Sequence, residues 1–431
     1  MAVPAGEPHL GARQGDGAIG PLSAREAARE IIAGVRRQPA LRVPLDDALG
    51  SILAEPVTSP LDIPPWTNSA MDGYAARAED VRGATAEHPF SLRIIETIPA
   101  GAFPAKEIGP GESARIFTGA PLPKGADSVV RQEDTEQHGD IVQIRSGRDA
   151  GVNIRLAGED VRAGEVVLEE GTLLGAAPIG VLASLAVAHP VVYRRPRVAI
   201  LGSGDEIVDI DRADEIRSGR KVASSNTHTL VALVTQAGGI PVNLGIARDT
   251  RESMREHLER ASDCDLIVTT AGISVGDHDH VLSTLQEMGM ELKFWKLRMR
   301  PGAPVGFGVL EREVPWIGLP GNPVSTMVTF ELFVRPAIRK MMGHLQPFRA
   351  VTSVTLAEPI KLGPKLQHFL RAVVTDGEAR LTGPQGSGIL TSMVRANALL
   401  VIPEGQHETA VGAPAEALIL DNPQHQVEPA F

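Results

Sequence analysis

The sequence is poor in two features that would each have indicated a distinct class of protein. It contains one cysteine, Cys264, so it can form neither an intrachain disulfide nor a metal site built from several cysteines, and this fits a reducing compartment. It has fewer basic than acidic residues, 42 against 53. The resulting net charge of −11 argues against bulk binding of nucleic acid, although it allows a local cationic pocket.

Long apolar runs are missing as well. The most apolar stretch, residues 179–192, is too short to cross a bilayer and contains His189 and Pro190. Residues 1–20 have neither the basic start nor the apolar run of a signal peptide, and their Gly, Ala and Pro content predicts a disordered tail. We therefore expect a cytoplasmic protein that makes no use of a membrane.

The sequence does contain enough residues for several domains, because 431 residues exceed one ordinary hydrophobic core. Short alternating runs separated by Gly and Pro turns predict two small β domains, within residues 90–155 and 352–420. Between them, residues 197–343 alternate strands with helices. That alternation predicts an α/β fold with a doubly wound, mostly parallel sheet.

Glycine-bearing loops follow the strands of this predicted sheet. Strands are predicted at residues 198–201, 241–247, 265–270, 293–299 and 316–319, and helices at residues 226–236, 251–260, 281–288 and 324–342. Parallel strands direct their carboxyl ends to one rim, where ligands of open α/β sheets bind. Four loops should therefore converge there: residues 202–206, 245–249, 270–279 and 318–325.

Carboxylates stand in three of these loops. They are Asp205, Glu206, Asp249, Asp277 and Asp279. Converging carboxylates beside glycines suit Mg²⁺ shared with a substrate phosphate. Helix capping would explain any one of them alone, since Asp249 could cap the helix after it with Glu252 completing a capping box. Taken together, the carboxylates favour a site.

Cations stand in the run FWKLRMRPG. With a strand period of two, Lys296, Arg298 and Arg300 would share one face and could bind phosphate or another oxyanion. A solvated edge strand explains them equally well. The run Pro320-Gly321-Asn322-Pro323 then predicts a rigid loop before a helix, whose N-terminus could also bind an anion.

Four familiar motifs are absent or give weaker interpretations. GSGDEI has Ile207 where a dinucleotide fingerprint needs its third glycine, and no glycine loop ends as a P-loop does. Gly272-Ile273-Ser274-Val275-Gly276 does match the G-x-S-x-G elbow of a serine hydrolase, with His344 or His368 as a partner, but the elbow leaves the other loops unexplained. His278 and His280 could form a metal pair, although hydrogen bonding in a loop explains them more simply.

Ten motifs together carry a resemblance to a known family. They are PPWTNSAMDGYA, IFTGAPLPKGADSVV, NIRLAGED, GDEIV, NLGIARD, GISVGDHD, FWKLRMRPG, GLPGNPVS, FLR and LTSMVRANALLVIP. In this order they resemble the molybdopterin molybdenumtransferase family, the MoeA type, to which the E domain of gephyrin also belongs. The resemblance extends over nearly the whole chain from about residue 21.

The resemblance implies an elongated homodimer of four-part chains. After a tail at residues 1–20, the parts would be a linking region (21–46 with 153–195), a β-rich domain (47–152), an α/β molybdopterin-binding domain (196–345) and a C-terminal β-barrel-like domain (346–431). Members take adenylylated molybdopterin and molybdate, use Mg²⁺, release AMP and insert molybdenum at the dithiolene. An upstream molybdopterin adenylyltransferase would supply the substrate. A scaffold or carrier without turnover is the alternative.

The resemblance also implies roles for particular residues. Asp279, Asp249, Glu206 and Asp72 would be catalytic, with Asp72 reaching the site of the partner subunit, and Asp205, Glu206, Asp249 and Asp279 would hold the metal ion. Lys296, Arg300 and Arg371, with Ser392 as a neutral donor, would hold molybdate. The remaining substrate-binding residues would be Thr118, Arg155, Gly272, Ser274, Gly276, Pro320, Gly321, Asn322 and Pro323.

Two positions depart from the family pattern. Arg300 replaces a usual lysine, which keeps the charge but changes the grip on an oxyanion. Ala271 replaces a usual glycine, and an alanine predicts an ordinary backbone angle at that position.

Overall fold

The computed structural model describes residues 21–271, 280–311, 313–363, 365–406 and 408–420. The chain forms two compact units, one of Arg42–Val192 and one of Met1–Leu41 with Tyr193–Phe431. No helix among the described residues has the length and apolar character needed to cross a membrane. The predicted tail, residues 1–20, lies outside the described residues.

The second unit contains a six-stranded sheet. Its strands lie in the order Ile240–Ala247, Arg197–Ser203, Leu266–Thr270, Pro315–Leu319, Gly306–Val309 and Glu291–Trp295. The first four are parallel, and each of the last two is antiparallel to the strand before it. Five strands therefore run in one direction, and only Gly306–Val309, which the sequence did not predict, opposes them.

Helices cover both faces of this sheet, as a doubly wound fold requires. Ala24–Gly34, Ser225–Ala237 and the closing helix from residue 323 to 341 pack on one face, against Val198, Ile200 and Val268. Arg251–Glu259 and His280–Glu287 pack on the other, against Ala199, Leu201 and Trp316. The alternation along each strand sends successive side chains into the two cores.

The closing helix has one irregular turn. It runs as Pro323–Thr329, a π-helical turn at Phe330–Val334, and Arg335–Met341. Pro336 has no N–H for the carbonyl one turn earlier, so the regular hydrogen-bond ladder is interrupted there. The predicted helix is otherwise confirmed.

The predicted strand of residues 293–299 is correct only as far as Trp295, because the observed strand is Glu291–Trp295. The chain leaves the sheet after Trp295, because Lys296 adopts a positive φ of 70°. Leu297 N–H then donates to the carbonyl of Ala303, and Met299–Arg300 pairs in a different sheet. Apolar alternation continued through this turn, so the pattern gave no sign of the reversal.

A closed sheet follows in the same unit. Its strands are Met299–Arg300, Gln367–Thr375, Glu378–Leu381, Val351–Leu356, Pro414–Ile419 and Ala398–Ile402. A further pairing of Gln367–Thr375 with Ala398–Ile402 closes the last five into a barrel, which confirms the barrel-like expectation. Two short strands, Ile360–Lys361 and Glu408–Thr409, pair beside it.

The unit Arg42–Val192 is mostly β structure. Its sheet has the order Ser128–Arg131, Gly73–Ala76, Glu112–Ile116, Phe90–Ile98, Ile141–Ile144 and Thr135–His138. Two ribbons pair Asn68–Ser69 with Ile154–Arg155 and Val57–Thr58 with Val166–Leu168. Its α-helices are Ala78–Val81 and Ala176–Ser184.

Candidate functional site

Two acidic loops meet at the carboxyl rim of the parallel strands. Asp205 and Glu206 follow one strand, and Asp249 follows its neighbour in the sheet. The N–H of Asp205 donates to Asp249 Oδ2, and the N–H of Asp249 donates to Asp205 Oδ1, each over 3.3 Å. These reciprocal bonds fix the two turns against each other, so the carboxylates share one small area of the rim.

The Glu206 carboxylate lies over Gly204. A Cβ atom at Gly204 would come within 2.9 Å of Glu206 Oε2, and the φ of Gly204 is +136°. Glycine is therefore favoured at this turn for its backbone angle, and it leaves room for the Glu206 carboxylate in its present position.

Asp249 does not cap the helix that follows it. Thr250 is the N-cap residue of Arg251–Glu259, and its Oγ1 accepts from the N–H of Ser253 over 3.2 Å. The predicted capping box of Asp249 and Glu252 is wrong, because the helix begins one residue later than that box needs. The Asp249 side chain is thus not used as a cap.

The rim carboxylates fit a hard cation by their chemistry. Asp205, Glu206 and Asp249 are all exposed, and none has a salt-bridge partner within the described part of the chain. Unpaired carboxylate oxygens are the ligands that Mg²⁺ takes in proteins, usually one or two with several waters. Nowhere in the described part of the chain do three His, Cys, Asp or Glu side chains come together closely enough to form a metal centre.

Part of the predicted site cannot be placed. Gly272, Ser274, Gly276 and Asp279 lie outside the described residues, as do Asp277 and His278. Their predicted roles remain predictions. Lys221, which the sequence did not suggest, does reach the rim, since its Nζ donates to the carbonyl of Asp205 over 2.6 Å.

A cavity of about 750 Å³ adjoins the acidic loops. Ile207, Val208 and Ile246 supply apolar surface, and Arg248 and Lys221 supply positive charge. The Arg248 guanidinium makes no ion pair with any described residue. The rim therefore combines room for a ligand of several rings with charges of both signs.

The loop Pro320-Gly321-Asn322-Pro323 lies at the same rim, after the strand Pro315–Leu319. Asn226 Nδ2 donates to the Gly321 carbonyl over 2.7 Å, which links this loop to the helix Ser225–Ala237. The helix after the loop begins at Pro323, and its Val324 N–H donates to the carbonyl of Ser387 over 3.1 Å. One N–H of the predicted anion site is therefore already engaged.

Ala271 adopts a left-handed backbone angle, with φ of 65°. The expectation of an ordinary angle is wrong, because the N–H of Ala271 remains bonded to the carbonyl of Leu319 while the chain turns off the strand. A Cβ at Gly321 would lie 3.3 Å from Ala271 Cβ, so the two turns are close neighbours. Alanine therefore occupies a backbone angle that glycine adopts more readily.

The three cations of the FWKLRMRPG run do not share a face. Lys296 lies exposed at the sheet rim, directly after the edge strand. Arg298 binds elsewhere, with Nε donating to Glu404 Oε1 over 3.2 Å and Nη1 donating to the Pro21 carbonyl. Arg300 pairs through its backbone with His368 of the closed sheet. The turn at Lys296 therefore separates the three side chains that a continuous strand would have placed on one face.

A second cavity, of about 360 Å³, brings Arg300 and Arg371 together. Arg371 is fully buried, its Nε donates to Ser392 Oγ over 3.1 Å, and burial lowers the pKa of its guanidinium. Arg371 Nη1 finds no acceptor among the described residues. A buried cationic donor without an acceptor is costly, and an oxyanion in the adjoining cavity would supply one. Lys296 does not line this cavity.

His368 lines the same cavity, a position that the sequence did not predict for it. It is 5% exposed, and its Nε2 lies 3.3 Å from the Gly363 carbonyl. Burial, and to a lesser degree the charge of Arg300, lower its pKa below the ordinary value. A neutral His368 would be a hydrogen-bond donor rather than a further charge.

Two of the three residues predicted in the other unit, Asp72 and Thr118, contact each other. Asp72 accepts from Thr118 twice, from the N–H over 2.8 Å and from Oγ1 over 2.7 Å, and these bonds lower the pKa of its carboxyl group. Arg115 lies nearby with its guanidinium over the ring of Phe117. Arg155 is exposed on a strand paired with Asn68–Ser69. Asp72 is held ionised and available to solvent.

The surroundings of the two candidate histidines do not suit a serine hydrolase. Burial, followed by the charges of Arg339 and Arg335, lowers the pKa of His344 to about 4. A triad histidine is oriented by a carboxylate that stabilises its charged form. The cationic neighbours of His344 and of His368 destabilise the charged form of each histidine instead.

Comparison with known proteins identifies the family. The MoeA N-terminal region (domain I and II) matches residues 22–186, a probable molybdopterin binding domain matches residues 199–340, and the MoeA C-terminal region (domain IV) matches residues 353–420. The molybdopterin molybdenumtransferase of Nostoc sp. is 38% identical over 385 residues, 87% of each chain. The molybdopterin molybdenumtransferase 2 of Mycobacterium tuberculosis is 37% identical over 398 residues, 90% of this chain and 97% of the relative.

Solved structures agree with the sequence relatives. The molybdopterin biosynthesis moeA protein of Pyrococcus horikoshii OT3 superposes with a TM-score of 0.79 at 31% identity, over 93% of this chain and 100% of that one. The expected fold and the resemblance are both confirmed. The chain therefore belongs to the MoeA-type molybdopterin molybdenumtransferase family, a family of transferases of molybdenum cofactor biosynthesis.

Proposed function

We propose that this protein transfers molybdenum from molybdate to adenylylated molybdopterin and releases AMP in an Mg²⁺-dependent reaction. Water hydrolyses the phosphoanhydride bond to AMP, and the two dithiolene sulfurs displace an oxide ligand of molybdate, which leaves as water with the two thiol protons. The observation that carries the proposal is the presence, in one compact unit, of rim carboxylates without a described salt-bridge partner and a cavity lined by two arginines.

The substrate chemistry matches these two features. Asp205, Glu206 and Asp249 would hold Mg²⁺, with Asp279 as a further predicted ligand, and the bound ion would neutralise phosphate charge as AMP leaves. Arg300 and Arg371 would hold molybdate, with Ser392 orienting the Arg371 guanidinium. Molybdate and AMP are both anions, so they need separate cationic and metal-bearing surfaces.

Lys296 and the rim cavity would serve the rest of the substrate. Lys296 ends the edge strand at the rim and makes no ion pair with any other described side chain. Arg248 and Lys221 in the 750 Å³ cavity offer further positive charge for a phosphate-linked ligand. These residues would bind and orient the substrate without taking part in bond breaking.

The test is single-turnover AMP release from adenylylated molybdopterin, with and without molybdate and Mg²⁺. We expect release to require Mg²⁺ and the Asp249→Asn variant to release AMP at least about a hundredfold more slowly, because a removed metal carboxylate weakens transition-state stabilisation. Asp214→Asn is the matched control, since Asp214 is a fully exposed carboxylate outside the site. Release that is unaffected by metal or by Asp249→Asn would favour a non-catalytic scaffold or carrier instead.

A further inference from the structure

The direction of the Arg371 guanidinium is set by one loop, residues 383–390, hereafter the arginine loop. Arg371 Nη2 donates to the carbonyl of Gly386 over 2.9 Å and to that of Pro384 over 3.4 Å. Ser392, just after the loop, accepts from Arg371 Nε, and its own Oγ donates to the carbonyl of Ile389 over 2.6 Å. Among the described residues, every acceptor of this guanidinium therefore comes from the arginine loop or its immediate end.

Gln385 of the same loop holds the main chain of Arg371. Its Oε1 accepts from the Arg371 N–H over 2.9 Å, and its Nε2 donates to the Arg371 carbonyl over 3.1 Å. The antiparallel ladder on this side stops at the pair Ala372–Leu381, one residue short of Arg371. The N–H of Thr382 still donates to the Arg371 carbonyl over 3.1 Å, so Gln385 Nε2 shares that acceptor. Gln385 Oε1, in contrast, takes the place of the strand carbonyl that would otherwise accept from the Arg371 N–H.

Further contacts fix the arginine loop itself. Gln385 Nε2 also donates to the carbonyl of Gly383 over 3.0 Å. The Ser387 carbonyl accepts from the N–H of Val324, at the start of the helix after the loop Pro320-Gly321-Asn322-Pro323. The arginine loop is therefore tied to the sheet rim at one point and to Arg371 at several.

We propose that Gln385 is a positioning residue for oxyanion binding, which aligns Arg371 so that Nη1 is the donor left for the ligand. This inference rests on the proposed function, in which the oxyanion is molybdate. Gln385 lines the 360 Å³ cavity together with Arg300 and Arg371. A neutral amide suits this place, because it supplies an acceptor and a donor without cancelling the positive charge that attracts the oxyanion.

The test compares Gln385→Ala and Gln385→Met with wild type. We expect equilibrium dialysis to show about tenfold weaker binding of molybdate and of tungstate, the effect typical of losing one well-placed charged hydrogen bond. The KM for molybdate should rise by a similar factor, while kcat at saturating molybdate stays within about twofold, because the amide acts on ligand binding and not on AMP release. Gln385→Met keeps the side-chain length, so it decides the matter if the alanine variant does not fold.

Gln367→Ala is the matched control. Gln367 begins the strand that contains Arg371, but its side chain faces another cavity and makes no hydrogen bond to Arg371. Its variant should bind both oxyanions as wild type does. Equal affinities and equal KM values in wild type and both Gln385 variants would overturn this inference alone. Failure of wild type itself to retain molybdate would overturn the proposed function with it.

Discussion

At the scale of single residues, Ala271 is held in a conformation that its side chain resists. Left-handed angles cost an L residue about 1 kcal/mol, and Ala271 has φ of 65°. Glycine would relieve that strain but would also raise the entropy of the unfolded chain. We expect Ala271→Gly to raise the free energy of unfolding by about 0.5 kcal/mol, measured by urea titration.

A helical alanine provides the control for that substitution. Ala232 is exposed within the helix Ser225–Ala237, where a glycine should lower the free energy of unfolding by about 1 kcal/mol. Opposite signs at the two positions are the expected result. A destabilising Ala271→Gly would mean that the methyl group makes contacts at the rim that outweigh the backbone strain.

Many residues of the candidate site could be predicted from the sequence, but the hydrogen-bond partners of their side chains could not. Asp205 and Asp249 were expected to meet because parallel strands share a rim, and their reciprocal hydrogen bonds show that they do. Gln385 and Asn226 were not expected. Each acts through an amide on a backbone group distant in sequence, and no local pattern encodes such a pairing.

At the scale of elements, the helix Arg251–Glu259 shows how a cap and a site residue can stand side by side. Thr250 caps the helix through Ser253, whereas the adjacent Asp249 does not. We expect Thr250→Ala to lower the free energy of unfolding by about 1 kcal/mol and the melting temperature by about 2–4 °C. Calorimetry of both variants checks this, with Asp249→Asn expected to keep the melting temperature of wild type. If Asp249→Asn lowered the melting temperature and Thr250→Ala did not, Asp249 and not Thr250 would be the cap.

Most elements could be predicted because their apolar periods are long. The helices at residues 226–236 and 251–260 and the strands at 198–201 and 241–247 all lie where they were expected, within one or two residues. The failure at Lys296 has a physical cause. Lys296, with its left-handed backbone angle, turns the chain out of the sheet. The alternation of apolar and polar side chains continues beyond it, so the sequence pattern still predicts a continuous strand where none is present.

At the scale of the whole molecule, fold class followed from the order of the elements, whereas sheet details did not. Alternating strands and helices predict parallel pairing, and four neighbouring strands obey it. Gly306–Val309 was missed because it has only four residues and two of them are glycines, which gives no apolar alternation to read. Closure of the C-terminal barrel likewise depends on one long-range pairing, between Gln367–Thr375 and Ala398–Ile402.

The assembly of the active site remains a prediction that a mixing experiment can decide. The resemblance implies that the rim of one chain is completed by Asp72 of the partner subunit. Asp72→Asn and Asp249→Asn chains should then each be inactive alone. In a randomly paired mixture, half of the dimers are mixed and each contains one intact site, so AMP release should recover to about a quarter of the wild-type rate.

The control pairs two lesions of the same rim, Asp249→Asn with Glu206→Gln. Every site in that mixture contains a defective rim, whichever chain supplies Asp72, so no recovery is expected. Co-expression with two different tags allows the mixed dimers to be isolated and their AMP release measured directly. Mixed dimers of the Asp72 and Asp249 variants that stay as inactive as either parent would show that Asp72 does not complete the rim of a partner. The ionised Asp72 carboxylate, held by Thr118, would then need another role.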